Sequence, residues 1–560
     1  MKEKRDNDEK RDSRNITRRE ALKRGVMGGA GLFAGSLAAQ ELFIGGGTVT
    51  VNDQLQFTSG LGKAHGVVHQ VADHNDPGGV GMADVAVTNG RDVVLTDAQG
   101  HWELPLLDAP HTTFSVIKPR GYMPPVDANQ VPRFYYIHCP DGSPPLEYGG
   151  LDPTGPLPEE IRFTLAPQSE PDEFECALIG DPQSRNEREV RYMSHGMIDE
   201  LQETNGAFGL VLGDIAFDRL NIFGPTAEVL GQAGFPMWYL FGNHDIDFDA
   251  GNNVHAADTY MRAFGPPYYA FNHGAVHFIV LNNVLYGGGG QPDYWGEVDA
   301  RQLAFVENDL ATVPTDQPIV LAAHIPLLSP DNDSPSRSTS NREALLQLFS
   351  NHDLRAVITA HRHSMQHVFH GAEQGWSGSS PLHEFIAPTA CGQHWRGLPD
   401  ELGIPHATMG DGAPRGFTRA FFDGGEYEYR FKATNRDARY QMNVLFPDAP
   451  DFAETRESDL YANVFMGSEH SEVRYRVLGE TDWLPMDRIF EECPLYLRMR
   501  ERSLDLEQPY LPQSAAQTCM HLWKAPLPGS LSSGHHQIEV ETTDMFGHVD
   551  RAFQRIYYNA

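Results

Sequence analysis

Five short apolar segments of this 560-residue chain are each followed at once by side chains that bind metal ions. The segments read ECALIG, GLVLG, MWYLFG, IVLAA and AVITA, and such runs predict buried strands. Ligand sites in open α/β sheets lie at the carboxyl ends of strands. Five predicted strand ends that carry oxygen and nitrogen donors therefore predict one metal site. The donor groups are Asp181-Pro182-Gln183, Gly213-Asp214, Gly242-Asn243-His244-Asp245, His324, and His361-Arg362-His363.

The mixture of carboxylate, amide and imidazole donors suits a pair of divalent cations. Two such ions, about 3.5–4 Å apart, can clamp the attacking and the leaving oxygen of a displacement at phosphorus. His361 and His363 are one residue apart, so in extended chain both imidazoles face the same way. Each group alone also has an ordinary reading, as a surface histidine, a Gly-Asp turn or a helix cap. All five in this order favour the metal site.

The order GD…GNHD…H…HxH resembles that of the calcineurin-like metallophosphoesterases. The resemblance covers residues 172–433 and implies an α/β catalytic domain, a four-layer αββα sandwich with two central sheets. It implies that a metal-bound hydroxide attacks phosphorus. His244 would then be the general acid or transition-state stabiliser, oriented by Asp245. The resemblance also implies two metal positions joined by one bridging ligand: Asp181, Gln183 and His363 for one, Asn243, His324 and His361 for the other, and Asp214 as the bridge.

One position departs from the usual first motif of that family, which is Asp-x-His. Here the residues are Asp181-Pro182-Gln183, a form that a subset of the family shares. Glutamine offers a carbonyl oxygen where histidine offers nitrogen, and oxygen suits harder ions. We therefore expect two divalent ions drawn from Mn, Mg, Fe and Zn, with Mn or Mg favoured over Zn at this position.

The regions on either side of residues 172–433 have the pattern of all-β domains. Short strand-like runs with turn residues between them fill 60–168 and 440–560, and each region is predicted to be a β-sandwich. The run GMADVAVTNGRDVVLTDAQGHWELPL resembles the amino-terminal domain of a bacterial exported group of these phosphoesterases. HLWKAPLP resembles the carboxy-terminal domain of the same group.

Residues 1–39 resemble a twin-arginine export signal. Arg18-Arg19 is followed by a Gly-rich, mildly apolar stretch at 25–39, which is shorter than the roughly 20 residues that a membrane-spanning helix needs. The alternatives are a charged tail that happens to contain two arginines and an uncleaved membrane anchor. We expect export by the twin-arginine machinery to the periplasm or the medium, and no stable membrane span.

The composition and charge of the chain limit the kinds of molecule that it is expected to bind. The formal net charge is −33, from 76 acidic and 43 basic residues, which argues against a nucleic-acid binder. It leaves an anionic substrate possible, because bound cations dominate the local field of a metal site. The five cysteines show no CxxC spacing, so no disulfide framework is expected. One isolated bridge between Cys493 and Cys519 stays open.

The substrate pocket has weaker signals. Trp395, Arg396, Asp411 and Arg415 lie in two Gly-rich segments late in the catalytic region and are candidates for lining it. Arginine suits bidentate contact with phosphate. The alternative is a Gly-rich turn with a surface salt bridge. The long segment 287–296 is a further place where substrate contacts are expected.

These observations predict an exported, two-metal phosphoesterase. It would hydrolyse a phosphomonoester or phosphodiester that is a small molecule or is attached to a surface. Two alternatives remain. One is a member of the same family that cleaves a pyrophosphate or a lipid diester. The other is a catalytically weak surface protein that binds metal or ligand, although no donor position has become apolar.

Overall fold

A computed structural model describes residues 62–74, 78–446 and 458–558, which include every predicted site residue. The predicted export signal at 1–39 lies outside the described residues. Within the described ranges, no helix combines the length and the apolar character needed to cross a membrane.

The described residues of the amino-terminal region form nine strands in two sheets. One sheet has the order β2-β1-β9-β7 with β5 also paired to β1, and a second has the order β4-β3-β6-β8. Trp102 packs between the two sheets, with its ring 5.6 Å from that of Phe114 and 5.9 Å from that of Phe163. The strands are β1 (Lys63–Gln70), β2 (Val80–Gly81), β3 (Ala86–Thr88), β4 (Val93–Leu95), β5 (His101–Pro105), β6 (Thr112–Val116), β7 (Tyr122–Met123), β8 (Tyr135–His138) and β9 (Ile161–Pro167).

The central region alternates strands and helices. Its elements are β10 (Glu173–Ile179), α1 (Glu187–Met193), α2 (Asp199–Gln202), β11 (Gly206–Val211), α3 (Phe223–Gly231), β12 (Met237–Tyr239), α4 (Asp258–Phe264), β13 (Tyr269–His273), β14 (Val276–Val280), β15 (Val284–Tyr286), β16 (Tyr294–Gly296), α5 (Ala300–Leu310), β17 (Pro318–Ala322), α6 (Arg342–Leu348), β18 (Asp353–Thr359), β19 (Gln366–His370), β20 (Leu382–Ile386), β21 (Gly416–Asp423) and β22 (Glu426–Ala433). The helix predicted over 187–204 is interrupted by a π-helical turn, Ser194–Ile198, where Gly196 has φ +110°.

Two sheets form the centre of this region. The first has the order β12-β11-β10-β21-β22, and β10, β11 and β12 run parallel. The second has the order β13-β14-β17-β18-β20-β19, and β14, β17, β18 and β20 run parallel. The parallel strands of each sheet therefore end at one edge, where the predicted donors begin.

The two sheets face each other across an apolar core. The Trp238 ring of the first sheet stacks on Phe271 of the second at 4.3 Å. Side chains from α1 and α3 pack with β10 and β11, and side chains from α5 and α6 pack with β14 and β17. Burial of these apolar surfaces is the main stabilising term for such an arrangement.

The described residues of the carboxy-terminal region are mostly β but include one helix that the sequence pattern did not predict. Proline at its first position and a run of good helix formers explain it. Two four-stranded sheets, β23-β24-β28-β27 and β26-β25-β29-β30, pack through residues such as Trp523 and Val540. The elements are β23 (Met442–Leu445), β24 (Asp459–Val464), β25 (Glu472–Val477), β26 (Leu484–Pro485), β27 (Asp487–Glu492), α7 (Pro494–Ser503), β28 (Thr518–Pro526), β29 (Gly534–Thr543) and β30 (Val549–Tyr558).

His383 on β20 links the two central sheets and should make the fold sensitive to acid. Its Nδ1 lies 2.9 Å from the Tyr427 hydroxyl on β22, and its Nε2 lies 2.9 Å from Nδ1 of His367. Burial, helped by His470 and His370, lowers the pKa of His383 to about 3. Below pH 6.5 this histidine is protonated in the unfolded chain but stays neutral in the folded chain. The free energy of unfolding therefore falls as the pH drops from 6.5 towards 3.

We expect His383→Asn to flatten that acid dependence by about 1.4 kcal/mol per pH unit, whatever it does to stability at neutral pH. Unfolding midpoints measured between pH 6.5 and 4.5 test this, with the exposed His535→Asn as the matched control. An acid dependence that is equal in His383→Asn and wild type would contradict the assignment.

Candidate metal centre

The predicted donors stand at the carboxyl ends of five strands, three in one central sheet and two in the other. Asp181 follows β10, Asp214 follows β11 and Asn243 follows β12. On the facing sheet, His324 follows β17 and His361 follows β18. Because the two sheets pack face to face, these strand ends meet at one edge of the core.

All seven predicted metal donors are brought together. Neighbouring polar atoms of these side chains lie 3.1–3.3 Å apart. The measured pairs are Gln183 Nε2–Asp214 Oδ2 at 3.1 Å, Asp214 Oδ1–His324 Nε2 at 3.3 Å, His324 Nε2–Asn243 Oδ1 at 3.1 Å, His324 Nε2–His361 Nδ1 at 3.3 Å, and Asp181 Oδ2–His363 Nε2 at 3.2 Å.

Each of the three histidines is held through one ring nitrogen by a backbone carbonyl. His324 Nδ1 lies 2.7 Å from the Leu212 oxygen, and His361 Nε2 lies 2.9 Å from the Ser336 oxygen. His363 Nδ1 is hydrogen-bonded to the Gly392 oxygen. A bond of this kind fixes the ring and leaves its second nitrogen for a metal, as is usual for metal-binding histidines.

The donors fit divalent cations. Among the described residues, Oδ2 of the fully buried Asp181 lies 3.2 Å from His363 Nε2 but makes no hydrogen bond of normal geometry. His324 Nε2 and His361 Nδ1 face each other although both rings are already bonded to carbonyls. Buried polar atoms normally have partners, and converging unpaired acceptors are what a cation satisfies. Asp214 has one carboxylate oxygen beside Gln183 and the other beside His324, which suits a bridging role.

The glycines of the two Gly-containing motifs allow this close approach. A Cβ at Gly213, where φ is +91°, would lie 2.6 Å from His324 Nδ1. A Cβ at Gly242 would lie 2.1 Å from the Asp214 nitrogen. Both contacts are shorter than van der Waals distance, so only glycine fits at either position.

Most of the donors also have an uncommon backbone conformation. Left-handed φ values are sparsely populated by residues other than glycine and cost about 1–3 kcal/mol each. Such values concentrate at functional sites, and here they turn the chain sharply after β10, β11 and β18. They occur at Asp181 (+38°), Gln183 (+38°), Asp214 (+50°), His361 (+67°) and His363 (+49°).

The electrostatics couple the donors to one another. Burial opposes the charged form of His324, but the Asp214 carboxylate outweighs it and raises the pKa of His324 to about 9. Burial likewise opposes ionisation of Asp214, and the neighbouring His324 and His244 hold its pKa below the usual range. Burial and the adjacent His324 depress the pKa of His361. The site thus keeps a carboxylate ionised in its interior.

His244 is positioned by Asp218, and the prediction that Asp245 orients it is wrong. His244 Nδ1 lies 2.6 Å from Asp218 Oδ1, and its backbone N–H donates to Asp214 Oδ1 at 2.8 Å. Asp245 instead accepts the N–H groups of Ala216 and Gly242, each at 3.0 Å. The buried Asp245 side chain thus stabilises the turns after β11 and β12 by hydrogen bonds to their backbone.

Three family models match this chain in sequence order. The amino-terminal model of calcineurin-like phosphoesterase matches residues 69–145, the calcineurin-like phosphoesterase model matches 176–365, and the carboxy-terminal model matches 384–549. The chain belongs to the calcineurin-like phosphoesterase family. The central match contains the donors from Asp181 to His363.

The curated relatives are uncharacterized proteins from two strains of Mycobacterium tuberculosis. Each is 27% identical over 190 residues, which is 30% of this chain and 36% of the relative. The match thus spans about a third of the relatives' length.

Two solved structures are also similar to this calcineurin-like phosphoesterase. One is a dimetal phosphatase from Danio rerio, with 13% identity, 47% of this chain and 97% of that chain covered, and a TM-score of 0.33. The other is a purple acid phosphatase from yellow lupin seeds, with 10% identity, 62% and 67% covered, and a TM-score of 0.33.

Two of the predicted substrate residues of this phosphoesterase have structural roles. The Trp395 indole is buried and donates to the Pro182 carbonyl at 3.1 Å. The Asp411 carboxylate accepts the Met365 N–H at 2.7 Å and the Ala413 N–H at 2.9 Å, and lies 2.9 Å from His521 Nε2. These contacts occupy Asp411, so the prediction that it lines a substrate pocket is corrected.

The two predicted arginines lie apart from the metal donors. The buried Arg415 guanidinium stands 5.2 Å from the Trp395 ring and lines a cavity of about 340 Å³ together with Asp400, His406 and Tyr440. Arg396 is half-buried. No contact of either side chain with a metal donor occurs among the described residues, and both remain candidates only for a more distant role.

The sequence reading missed several residues at the site. Asp218 stands four positions after Asp214 in the sequence, and its closeness to a predicted donor could have identified it as a residue of the site. Arg185 places its guanidinium 4.3 Å from the Phe217 ring, and Phe217 lies 4.5 Å from the His244 ring. Gln291 donates to Asp218 Oδ2 at 2.8 Å, so the segment 287–296 reaches the site. His394 lies beside Gln183.

Asp214→Asn is expected to leave this phosphoesterase with fewer than two bound metals per chain, because Asp214 is the donor whose two oxygens face both halves of the site. Metal content after gel filtration, measured by inductively coupled plasma mass spectrometry, tests this. The exposed Asp199→Asn is the matched control and should keep wild-type content. Retention of two metals by Asp214→Asn would contradict the assignment.

Proposed function

We propose that this protein is an exported, dinuclear metal-dependent phosphoesterase that hydrolyses a phosphomonoester or phosphodiester. The observation that carries the proposal is the convergence of six buried donors and the half-buried His361 beside His244, a histidine held by its own carboxylate. A site built only for structural metal would close all of its ligand positions and would have no use for an adjacent, partly open histidine.

The metal donors and His244 have different roles, which follow from their positions. Bound divalent ions supply Lewis-acid activation of water and neutralise charge on the phosphoryl group. The donors keep those charges in a buried pocket, where electrostatic interactions are stronger than in water. His244 stands at the edge of the cluster, with 16% of its side chain exposed, so its Nε2 is free to face a substrate.

Asp218 makes His244 a proton donor. Burial opposes the charged ring, but Asp214 and the hydrogen bond to Asp218 outweigh it and raise the pKa of His244. With Nδ1 occupied by Asp218, a proton on Nε2 can pass to the leaving-group oxygen. Protonation of the leaving group by a positioned side chain accelerates such reactions by about 10²–10⁴-fold.

We assign recognition of the anionic substrate group to side chains at the edge of the metal site. Arg185 stands over Phe217, next to His244, and its buried Nη2 has no hydrogen-bond partner among the described residues. Guanidinium nitrogens in such a position are suited to phosphate oxygens. Tyr294 and Gln291 extend from the segment 287–296 towards His361 and Asp218. We assign discrimination between substrates to these side chains.

The finer architecture and the location belong to the same proposal. The catalytic region would be a four-layer αββα sandwich between two β-sandwich domains, with boundaries at 60–168, 172–433 and 440–560. The segment 1–39 would direct a folded, metal-loaded enzyme to the periplasm or the medium. The ions would be two of Mn, Mg, Fe or Zn.

We expect His244→Asn to lower kcat by about 100-fold or more while two metals remain bound, and Asp218→Asn to act in the same direction with a smaller loss. Purified protein loaded with Mn²⁺, Mg²⁺ or Zn²⁺ would be assayed on p-nitrophenyl phosphate, its bis ester and an alkyl phosphate. The loss should be greatest for the alkyl ester, whose poor leaving group needs the proton most.

The exposed His535→Asn serves as the control for this series. Absence of metal-dependent turnover on every ester, with two metals bound, would favour a metal-binding surface protein over an enzyme. An equal loss on good and poor leaving groups would remove His244 from the role of proton donor.

The export assignment has its own test. Replacing both arginines, Arg18→Lys with Arg19→Lys, is expected to retain the protein in the cytoplasm, because the twin-arginine pathway reads that pair. Immunoblots of cytoplasmic and periplasmic fractions measure the distribution, and Lys23→Arg in the same segment is the control. Unchanged export of the double variant would contradict a twin-arginine signal.

A further inference from the structure

Gln183 stands where the usual motif has a histidine. The group formed by Asp181, Gln183 and His363 therefore has one imidazole fewer than that motif would supply. Its Nε2 donates to Asp214 Oδ2 at 3.1 Å, which turns its Oε1 the other way. That oxygen faces Nδ1 of His394 at 2.8 Å. His394 therefore brings an imidazole nitrogen next to the side chain that replaces the histidine of the usual Asp-x-His motif.

The loop that carries His394 is fixed to the loop of the first motif. The Cys391 N–H donates to the Asp181 carbonyl at 3.1 Å, and the Trp395 indole donates to the Pro182 carbonyl at 3.1 Å. Arg185 Nη1 donates to the His394 carbonyl at 2.7 Å. Three hydrogen bonds thus hold residues 391–395 against 181–185, and the position of His394 follows from them.

The backbone at His394 has the same uncommon conformation as the donors. Its φ is +56°, and that of Trp395 is +54°. Strain of this kind persists where the surrounding structure requires it and is concentrated at functional sites. His394 shares it with five of the seven donors, Asp181, Gln183, Asp214, His361 and His363.

The ring of His394 is placed among the metal-binding side chains. It lies 4.1 Å from the His363 ring and 5.4 Å from the Phe217 ring. One ligand atom each from His394, His363 and Cys391 lies within 4.8 Å of the others. Cys391 Sγ stands 3.7 Å from His363 Nδ1, the nitrogen already bonded to Gly392, and 3.6 Å from Gln183 Oε1.

The spacing suits shared coordination. Adjacent ligands of a six-coordinate ion with bonds of about 2.1 Å lie roughly 3 Å apart. The 2.8 Å between His394 Nδ1 and Gln183 Oε1 is close to this, as are the 3.3 Å between Asp214 Oδ1 and His324 Nε2 and the 3.2 Å between Asp181 Oδ2 and His363 Nε2.

We propose that His394 is a ligand of the metal ion that Asp181, Gln183 and His363 hold, and supplies the imidazole missing from the first motif. The inference rests on the proposed function, since it assumes that the centre binds two ions. It adds a second nitrogen donor at this position, which increases preference for first-row transition metals over Mg²⁺.

The test compares metal binding in His394→Ala and His394→Gln with wild type by mass-spectrometric metal content and by calorimetric titration with Mn²⁺. Both variants are expected to lose one ion at stoichiometric loading and more than about 100-fold in affinity at that position. Loss of a group that only orients a ligand costs about 10–100-fold. His394→Gln keeps an amide N–H that can donate to Gln183 Oε1, so a merely orienting role would survive in it.

Moving the imidazole provides the second measurement. His394→Ala combined with Gln183→His should regain the second ion, and the exposed His406→Gln should keep two. Two ions of wild-type affinity in His394→Gln, or loss of an ion in His406→Gln, would overturn the inference. A wild-type chain that binds no metal would instead overturn the proposed function.

Discussion

The hydrogen bond from His324 to the Leu212 carbonyl is the contact on which the arrangement of the metal donors depends. His324 follows β17 of one central sheet and Leu212 follows β11 of the other, so a 2.7 Å bond joins the open ends of the two sheets. The approach is possible because Gly213 has no Cβ to collide with the imidazole. The same bond directs Nε2 of His324 towards Asn243 and Asp214. Sheet packing and ligand orientation are therefore set together.

The carboxy-terminal region takes part in the same construction. Asp411, buried where that region meets the catalytic one, binds the Met365 and Ala413 N–H groups and pairs with His521 on β28. Asn463 on β24 donates to the Asp411 carbonyl at 2.8 Å. These contacts fix the return of the chain from His363 to β21, including the loop that carries Cys391, His394 and Trp395. Burying a carboxylate is stabilising only when it is fully hydrogen-bonded, and here it is.

Local patterns made much of the fold and the donor set predictable. Strand prediction succeeds for IRFTLAP, which is β9, and for the apolar runs before the donors, because alternation and β-branched residues are local signals. The donors follow those runs directly. What failed depended on contacts distant in sequence. Asp245 is next to His244 in the chain, yet its side chain points at backbone N–H groups, and Asp218, 26 residues away, makes the bond.

The sequence by itself indicated which side chains could bind metal and that they follow strands, because residue type and strand pattern are both local properties. It also indicated that the first motif lacks a histidine. Only the tertiary structure decided which residue stands beside Gln183, since His394 is 211 positions away and arrives there through hydrogen bonds between two loops. It likewise moved Trp395 and Asp411 from the expected substrate pocket into structural roles, because burial and hydrogen-bond partners are set by packing rather than by sequence neighbours.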